Sequence, residues 1–254
     1  MSRTAVFQQD ILWGAPEDNL ARLDEALQSA PESDVYVFPE MFSTGFATLE
    51  DSVVEHEPCM TLEWMKKKAA EKNAAIAGSV ALEIGGRLHN RFFFVKPDGS
   101  TAVYDKRHLF LYGGEGEKFD AGDSRTVVEW RGVRYLLAVC YDVRFPVWLR
   151  NLGDYDAMIL VANWPEARRF AWDTLVRARA IENQCYVLAA NRTGDDPACH
   201  YEGGSVILGP YGETLAAASD SHEEWIAADI DIQHLREYEA KFPVRGDADK
   251  FRLI

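Results

Sequence analysis

The stretch Tyr135-Leu-Leu-Ala-Val139 has the length and apolar character of a buried strand, and it runs straight into Cys140-Tyr-Asp-Val-Arg-Phe-Pro146, where Pro146 suits the first position of a helix. A strand that passes at once into a helix is half of a βαβ unit. Similar short apolar runs recur at residues 5–8, 35–38, 74–82, 91–95, 101–104, 126–130, 158–162, 186–190, 205–208, 214–218 and 225–230, and their β-branched and aromatic content predicts strands. Helical spacing predicts helices over 18–28, with Leu20, Leu23 and Leu27 on one face, and over 62–72, 146–152 and 171–183. Two turns match: Val95-Lys-Pro97-Asp-Gly99-Ser-Thr101 and Leu208-Gly-Pro210-Tyr-Gly212-Glu-Thr214 share a spaced Pro-x-Gly-x-Thr that suits type I turns. Hairpins mixed with βαβ units predict mixed sheets covered by helices, an α/β layered fold, and the paired turns point to an internal repeat.

At about 150 residues per domain, 254 residues allow one large domain or two small ones. No linker or shift of composition divides the chain, so residues 1–254 are expected to form a single domain. With 47% hydrophobic and 27% charged residues a packed core is expected. The net charge of −14 argues against nucleic acid and anionic membrane as partners, because both are bound through Lys and Arg. Four scattered cysteines without a C-x-x-C pair make neither a disulfide framework nor a zinc site, and a reducing compartment follows. No apolar run approaches the roughly 18 residues of a membrane span, so a soluble, cytoplasmic protein is expected.

The chemistry lies after the strands. The run 35–38 leads into Pro39-Glu40, 101–104 into Asp105-Lys106, 135–139 into Cys140, and 158–162 into Asn163-Trp164. Ligands of open α/β sheets bind beyond the carboxyl ends of strands, so Glu40, Lys106, Cys140 and Asn163 are candidates to line one pocket, against the plain alternative that loops simply begin there. Cys140 is the candidate nucleophile, since helix-terminal amides at such a junction favour thiolate. Cys59, Cys185 and Cys199 fit better as small hydrophobes, with exposure in polar loops the alternative for Cys59 and Cys199. Of the six histidines only His108 lies near another candidate, which argues against a Cys-His pair. A desolvated carboxylate can serve as base and a lysine as electrostatic clamp, giving Glu40, Lys106 and Cys140 complementary roles. The glycine-rich Gly113-Gly114-Glu-Gly116-Glu carries acids that repel phosphate and is expected to be a mobile loop.

Three ordered blocks, Phe38-Pro-Glu-Met-Phe-Ser-Thr-Gly-Phe46, Tyr104-Asp-Lys-Arg-His-Leu-Phe110 and Val139-Cys-Tyr-Asp-Val-Arg-Phe-Pro-Val-Trp-Leu-Arg-Asn151, resemble the signature blocks of the carbon-nitrogen hydrolase (nitrilase) superfamily. Met41-Phe-Ser-Thr-Gly-Phe46 and Ala162-Asn-Trp-Pro165 are most similar to its bacterial omega-amidase, or 2-oxoglutaramate amidase, branch. The resemblance implies an α-β-β-α sandwich of two mixed sheets in four layers, a homodimer, and no metal or organic cofactor. It implies that Cys140 attacks an amide carbonyl, Glu40 moves the protons, Lys106 and the backbone N–H of Tyr141 hold the oxyanion, and Glu115 positions Lys106. The implied substrates are omega-monoamides of short dicarboxylates, 2-oxoglutaramate and succinamate. Nitrile or N-carbamoyl amine hydrolysis and a catalytically silent binding subunit are the alternatives. A substrate carboxylate needs a cation, for which Arg144 and Arg168 are the candidates by position, each in competition with a structural ion-pair role. Phe46, Tyr112 and Trp164 are expected to wall the acyl pocket.

Overall fold

The protein is described from a computed structural model, which covers residues 1–46 and 54–252. All twelve expected strands form. In chain order they begin with β1 (Ser2–Gln8), β2 (Val35–Val37), β3 (Ala75–Ile84), β4 (Arg87–Val95) and β5 (Thr101–Asp105). Next come β6 (Val127–Trp130), β7 (Val133–Val139), β8 (Ala157–Ala162) and β9 (Tyr186–Asn191). A separate short hairpin of β10 (Thr193–Asp195) and β11 (His200–Glu202) precedes β12 (Val206–Leu208), β13 (Thr214–Ala217) and β14 (Glu224–Ile230). The helices are α1 (Pro16–Gln28), α2 (Met60–Lys72), α3 (Glu115–Lys118), α4 (Pro146–Leu149), α5 (Arg169–Asn183) and α6 (Ile232–Lys241).

The strands make two six-stranded mixed sheets, ordered β14-β1-β2-β3-β4-β5 and β6-β7-β8-β9-β12-β13. Read in that direction, neighbours in both sheets run antiparallel, parallel, parallel, antiparallel, antiparallel. The two sheets are therefore one motif used twice, with the leading strand of the first supplied from the far end of the chain. The matching turns occupy equivalent places, β4–β5 and β12–β13. In each the glycine takes a φ of +81° and its N–H closes the turn at 2.9 Å, Gly99 on Lys96 O and Gly212 on Gly209 O. A left-handed φ of that size is open to glycine at no steric cost.

Period-two alternation sorts the first sheet's side chains into two layers. Val6, Val35, Val37, Ala75, Ala77, Phe92 and Phe94 face the second sheet and share a core with Leu137, Val139, Ile159 and Val161. Their alternates Phe7, Tyr36, Phe38, Ile76 and Phe93 pack with Leu20, Leu23 and Leu27 of α1 and Met65 and Ala69 of α2. On the second sheet α5 contributes Trp172, Val176 and Ala180 to the core. The layers are α-β-β-α, as expected. Among the described residues no helix is long and apolar enough to cross a membrane.

Two local expectations are corrected. The helix begun by Pro146 ends at Leu149 instead of residue 152, because Asn151 turns away to bond Tyr155 O, Asn183 O and the Asn183 side chain. The glycine-rich segment is no open loop: a 3₁₀ turn at Leu111–Gly113 and α3 wind around the buried Glu115. Of the two cysteines for which exposure was the alternative, Cys59 is buried and Cys199 stands half-buried.

Trp172 is fully buried and its indole N–H donates to Gly204 O at 2.8 Å, so α5 is held to the second sheet by both area and a hydrogen bond. Trp172→Ala is expected to cost about 3–5 kcal/mol. Urea unfolding of the variant checks this, with an unchanged midpoint contradicting the packing described.

Candidate active site

Four chain segments deliver the functional side chains to one place, each beyond the carboxyl end of a strand. After β2 the chain turns through Phe38-Pro39 to Glu40, where the Met41 N–H bonds Ser79 Oγ at 3.0 Å and Met41 O accepts from Thr44 and Gly45. After β5, Lys106 donates its N–H to Asn90 O at 3.0 Å and accepts from Gly122 N at 2.9 Å. Gly122 has to be glycine, since a Cβ there would lie 2.1 Å from Asp105 O. After β7, Cys140 opens a 3₁₀ turn, Cys140–Arg144, with its own φ at +47°. A non-glycine residue at positive φ is strained, and such strain collects where a side chain must be aimed. After β8 comes Asn163, which donates twice to Glu40: Asn163 N to Glu40 Oε2 at 2.8 Å and Asn163 Nδ2 to Glu40 O at 2.7 Å. Since β2 and β8 are equivalent strands of the repeated sheet, Glu40 and Asn163 are equivalent positions meeting across the sandwich.

At the centre is the Lys106 ammonium, wholly buried and 2.9 Å from both Glu40 and Glu115. Glu115 also accepts the Phe110 N–H at 2.6 Å, and Asn90 Nδ2 spans the two carboxylates at 2.8 and 3.2 Å. Burial opposes the Lys106 charge, but Glu115 and Glu40 outweigh it and hold the ammonium's pKa above its ordinary value. The Cys140 thiol lies against Glu40. Burial pushes it well above the usual thiol range and the Glu40 carboxylate adds to that, more than Lys106 draws it back. Against the expectation that helix-terminal amides favour thiolate, desolvation and the neighbouring anion prevail and hold the Cys140 thiol up.

These groups open onto a cavity of about 340 Å³. Of the expected residues, Glu40, Lys106, Cys140, Asn163, Phe46, Tyr141, Arg144, Trp164 and Arg168 line it. Glu115 stands behind Lys106. Tyr112 does not belong to the wall: it is 92% exposed, and the ring that faces the cavity is its neighbour Phe110. The Arg144 guanidinium stacks on Trp164 at 4.8 Å, and Arg168 packs on Phe110 at 5.2 Å. Among the described residues neither arginine has a carboxylate partner. Trp13 and the loop of the β10–β11 hairpin, with Asp196, Cys199 and Tyr201, complete the lining. Asp196 is already engaged by Ala198 N, Cys199 N and the Tyr201 hydroxyl. The hairpin strands are three residues each, too short for alternation to reveal, and Asn90 sits within β4 and not at a strand end.

A carboxylate, an ammonium and a thiol lining one cavity are equipped for acyl transfer. The carbon-nitrogen hydrolase family model matches residues 3–240. The chain belongs to the carbon-nitrogen hydrolase family. Members of this family are hydrolases that act on carbon–nitrogen bonds, and so is this protein. It is 46% identical over 252 residues, 99% of this chain and 98% of the relative, to the omega-amidase YafV of Escherichia coli strain K12. It is 34% identical over 249 residues, 96% of both chains, to the 2-oxoglutaramate amidase of Bacillus subtilis. Among solved structures, the carbon-nitrogen hydrolase XC1258 of Xanthomonas campestris, which carries an arsenic adduct in its active site, superposes with a TM-score of 0.96 at 38% identity, covering 99% of this chain and 98% of that one.

Glu40→Gln removes the anion that raises the Cys140 pKa and leaves the Lys106 cation that lowers it. The pH midpoint of Cys140 alkylation by iodoacetamide is therefore expected to move to lower pH. Amide hydrolysis should fall by about 10²–10⁴-fold for want of a base. A midpoint that moves upward would show that Glu40 does not act on the thiol as described.

Proposed function

We propose that this hydrolase is an omega-amidase: it cleaves the terminal amide of short dicarboxylate monoamides, 2-oxoglutaramate and succinamate, to the dicarboxylate and ammonia. The observation that carries this reading is the pair of guanidinium groups, Arg144 and Arg168, lining the same cavity as Cys140 without an acidic partner among the described residues. A buried or half-buried cation without a counter-ion is a site for an anion. On a chain of net charge −14, that local excess favours a substrate carrying a carboxylate. The names of the Escherichia coli and Bacillus subtilis relatives support the same substrate class.

In the proposed reaction Glu40 takes the proton from Cys140 as Sγ attacks the amide carbon. The oxygen becomes an oxyanion held by Lys106 Nζ and the backbone N–H of Tyr141. Glu40 then gives that proton to the amide nitrogen, the C–N bond breaks, and ammonia leaves a thioester on Cys140. Water, deprotonated by Glu40, attacks the thioester; a second tetrahedral intermediate collapses, the C–S bond breaks, and the proton returns to sulfur. Glu115 keeps Lys106 pointed at the oxyanion. Arg144, on the same turn as Cys140 and sandwiched by Trp164 and Tyr141, holds the distal carboxylate, with Arg168 beside it. The protein is further proposed to act in the cytoplasm as a homodimer, for which sedimentation at micromolar concentration is the check.

Ammonia release from succinamate and 2-oxoglutaramate is expected from the parent and should vanish in Cys140→Ala. Release that persists in the variant removes Cys140 from the reaction, and a parent that prefers nitriles or N-carbamoyl amines overturns the substrate class.

Arg144→Ala is expected to lower kcat/KM for succinamate by about 10–100-fold, the worth of a charge-assisted hydrogen bond. The same variant should leave the uncharged butyramide within roughly threefold. An equal loss on both substrates would assign Arg144 to the fold and not to the carboxylate.

A further inference from the structure

We propose that Asp142 is a positioning residue that sets the nucleophile against the lysine, by holding the turn of Cys140 and the segment of Lys106 on one carboxylate. Asp142 is fully buried and takes no part in the chemistry described above. Its two oxygens accept four hydrogen bonds. Oδ2 takes the Val139 N–H at 3.0 Å, from the residue before the nucleophile, and the Tyr104 hydroxyl at 2.7 Å, from β5. Oδ1 takes the backbone N–H of His108 at 3.0 Å, two residues past Lys106, and meets His108 Nδ1 at 2.8 Å. The donors thus come from both sides of the site, and the carboxylate fixes their separation.

The rest of the turn is tied to the same group. Phe145 N donates to Asp142 O at 2.9 Å, and the Phe145 ring stacks on His108 at 3.8 Å between centroids and 8° between planes. Trp148 Nε1 donates to the Tyr104 hydroxyl at 3.0 Å, and from behind, the buried Arg179 donates to Val143 O at 2.9 Å. Cys140 needs such a brace. Its φ of +47° is not one that cysteine adopts freely. A carboxylate is suited to the task because, ionised, it is an acceptor at every lone pair, and all four partners here present N–H or O–H. Asparagine has the same shape but two of its four sites are donors, so Asp142→Asn sets an N–H₂ against two of these donors and frees the turn to relax.

The test separates placement from folding. Asp142→Asn is compared with the parent after active sites have been counted by stoichiometric labelling. Per labelled site, kcat for succinamate should fall roughly 100-fold, as a shift near 1 Å of a reacting group does, with KM changed less than about threefold. The rate of Cys140 alkylation by iodoacetamide, located by peptide mass, should fall alongside. Tyr104→Phe and His108→Ala each remove a single donor, keep the carboxylate, and serve if Asp142→Asn does not fold. Each should lower kcat by roughly 3–10-fold at unchanged KM. Parental kcat per site and parental alkylation rates in the folded variants would overturn the proposal, leaving Asp142 a structural residue. The kcat comparison rests on the omega-amidase reading, whereas the alkylation rates do not, so a parent inert toward succinamate whose variants still alkylate slowly would fail that reading alone.

Discussion

An ammonium group cut off from water is the constraint around which the rest is arranged. Taking a charge of that size into a protein interior costs several kcal/mol even after relaxation, and only close partners offset it. Lys106 has two, Glu40 and Glu115, and both must be brought to it from elsewhere: one from the end of β2, the other from a helical turn that would otherwise be loop. Placing two carboxylates on one cation leaves the buried cluster one negative charge in excess, which adds to burial in holding the thiol beside it up. The count does not change as the reaction proceeds. In the proposed reaction the negative charge moves to sulfur when the proton passes from Cys140 to Glu40, and to the oxygen beside Lys106 when sulfur attacks. The proposed site relocates a charge it already holds and creates none.

The repeated sheet explains how the partners meet. Because both sheets follow one order and face each other, the strands β2 and β8 end at related places, and the segments beyond them can interlock. Glu40 and Asn163 do so through two hydrogen bonds, one backbone and one side-chain. Cys140 comes from the second sheet and Lys106 from the first, so the seam between the sheets is also the seam of the candidate site. Packing between layers therefore bears on the geometry of the chemistry directly.

Much of this was legible in the residue order, and the reason is positional. Glu40, Lys106, Cys140 and Asn163 each follow an apolar run, so the rule that ligands bind beyond strand ends was enough to group them. Glu115 could be placed only through family likeness, since its own surroundings read as a glycine-rich loop. Asn90 escaped notice because it lies inside a strand, where a polar residue looks like one half of ordinary alternation. Asp142 stood in plain view between Cys140 and Pro146, yet its partners Tyr104 and His108 are more than thirty residues away in sequence. Tyr112 was misjudged because an aromatic next to a candidate segment says nothing of which neighbour turns inward; Phe110 did. The helix α6, capped by the Asp231 side chain on His234 N, carried too few apolar residues to announce itself by periodicity.

The pairing of β14 with β1, residue for residue from Ser2 with Ile230 to Gln8 with Glu224, has a consequence for how the chain is made. During synthesis β1 meets this antiparallel neighbour only after more than two hundred further residues have been translated. Until then its outer edge has unpaired amides and carbonyls, the kind of surface on which nascent chains associate with one another. Completion of the first sheet thus waits on a contact of long sequence separation, far from the chemistry but required before that sheet is whole.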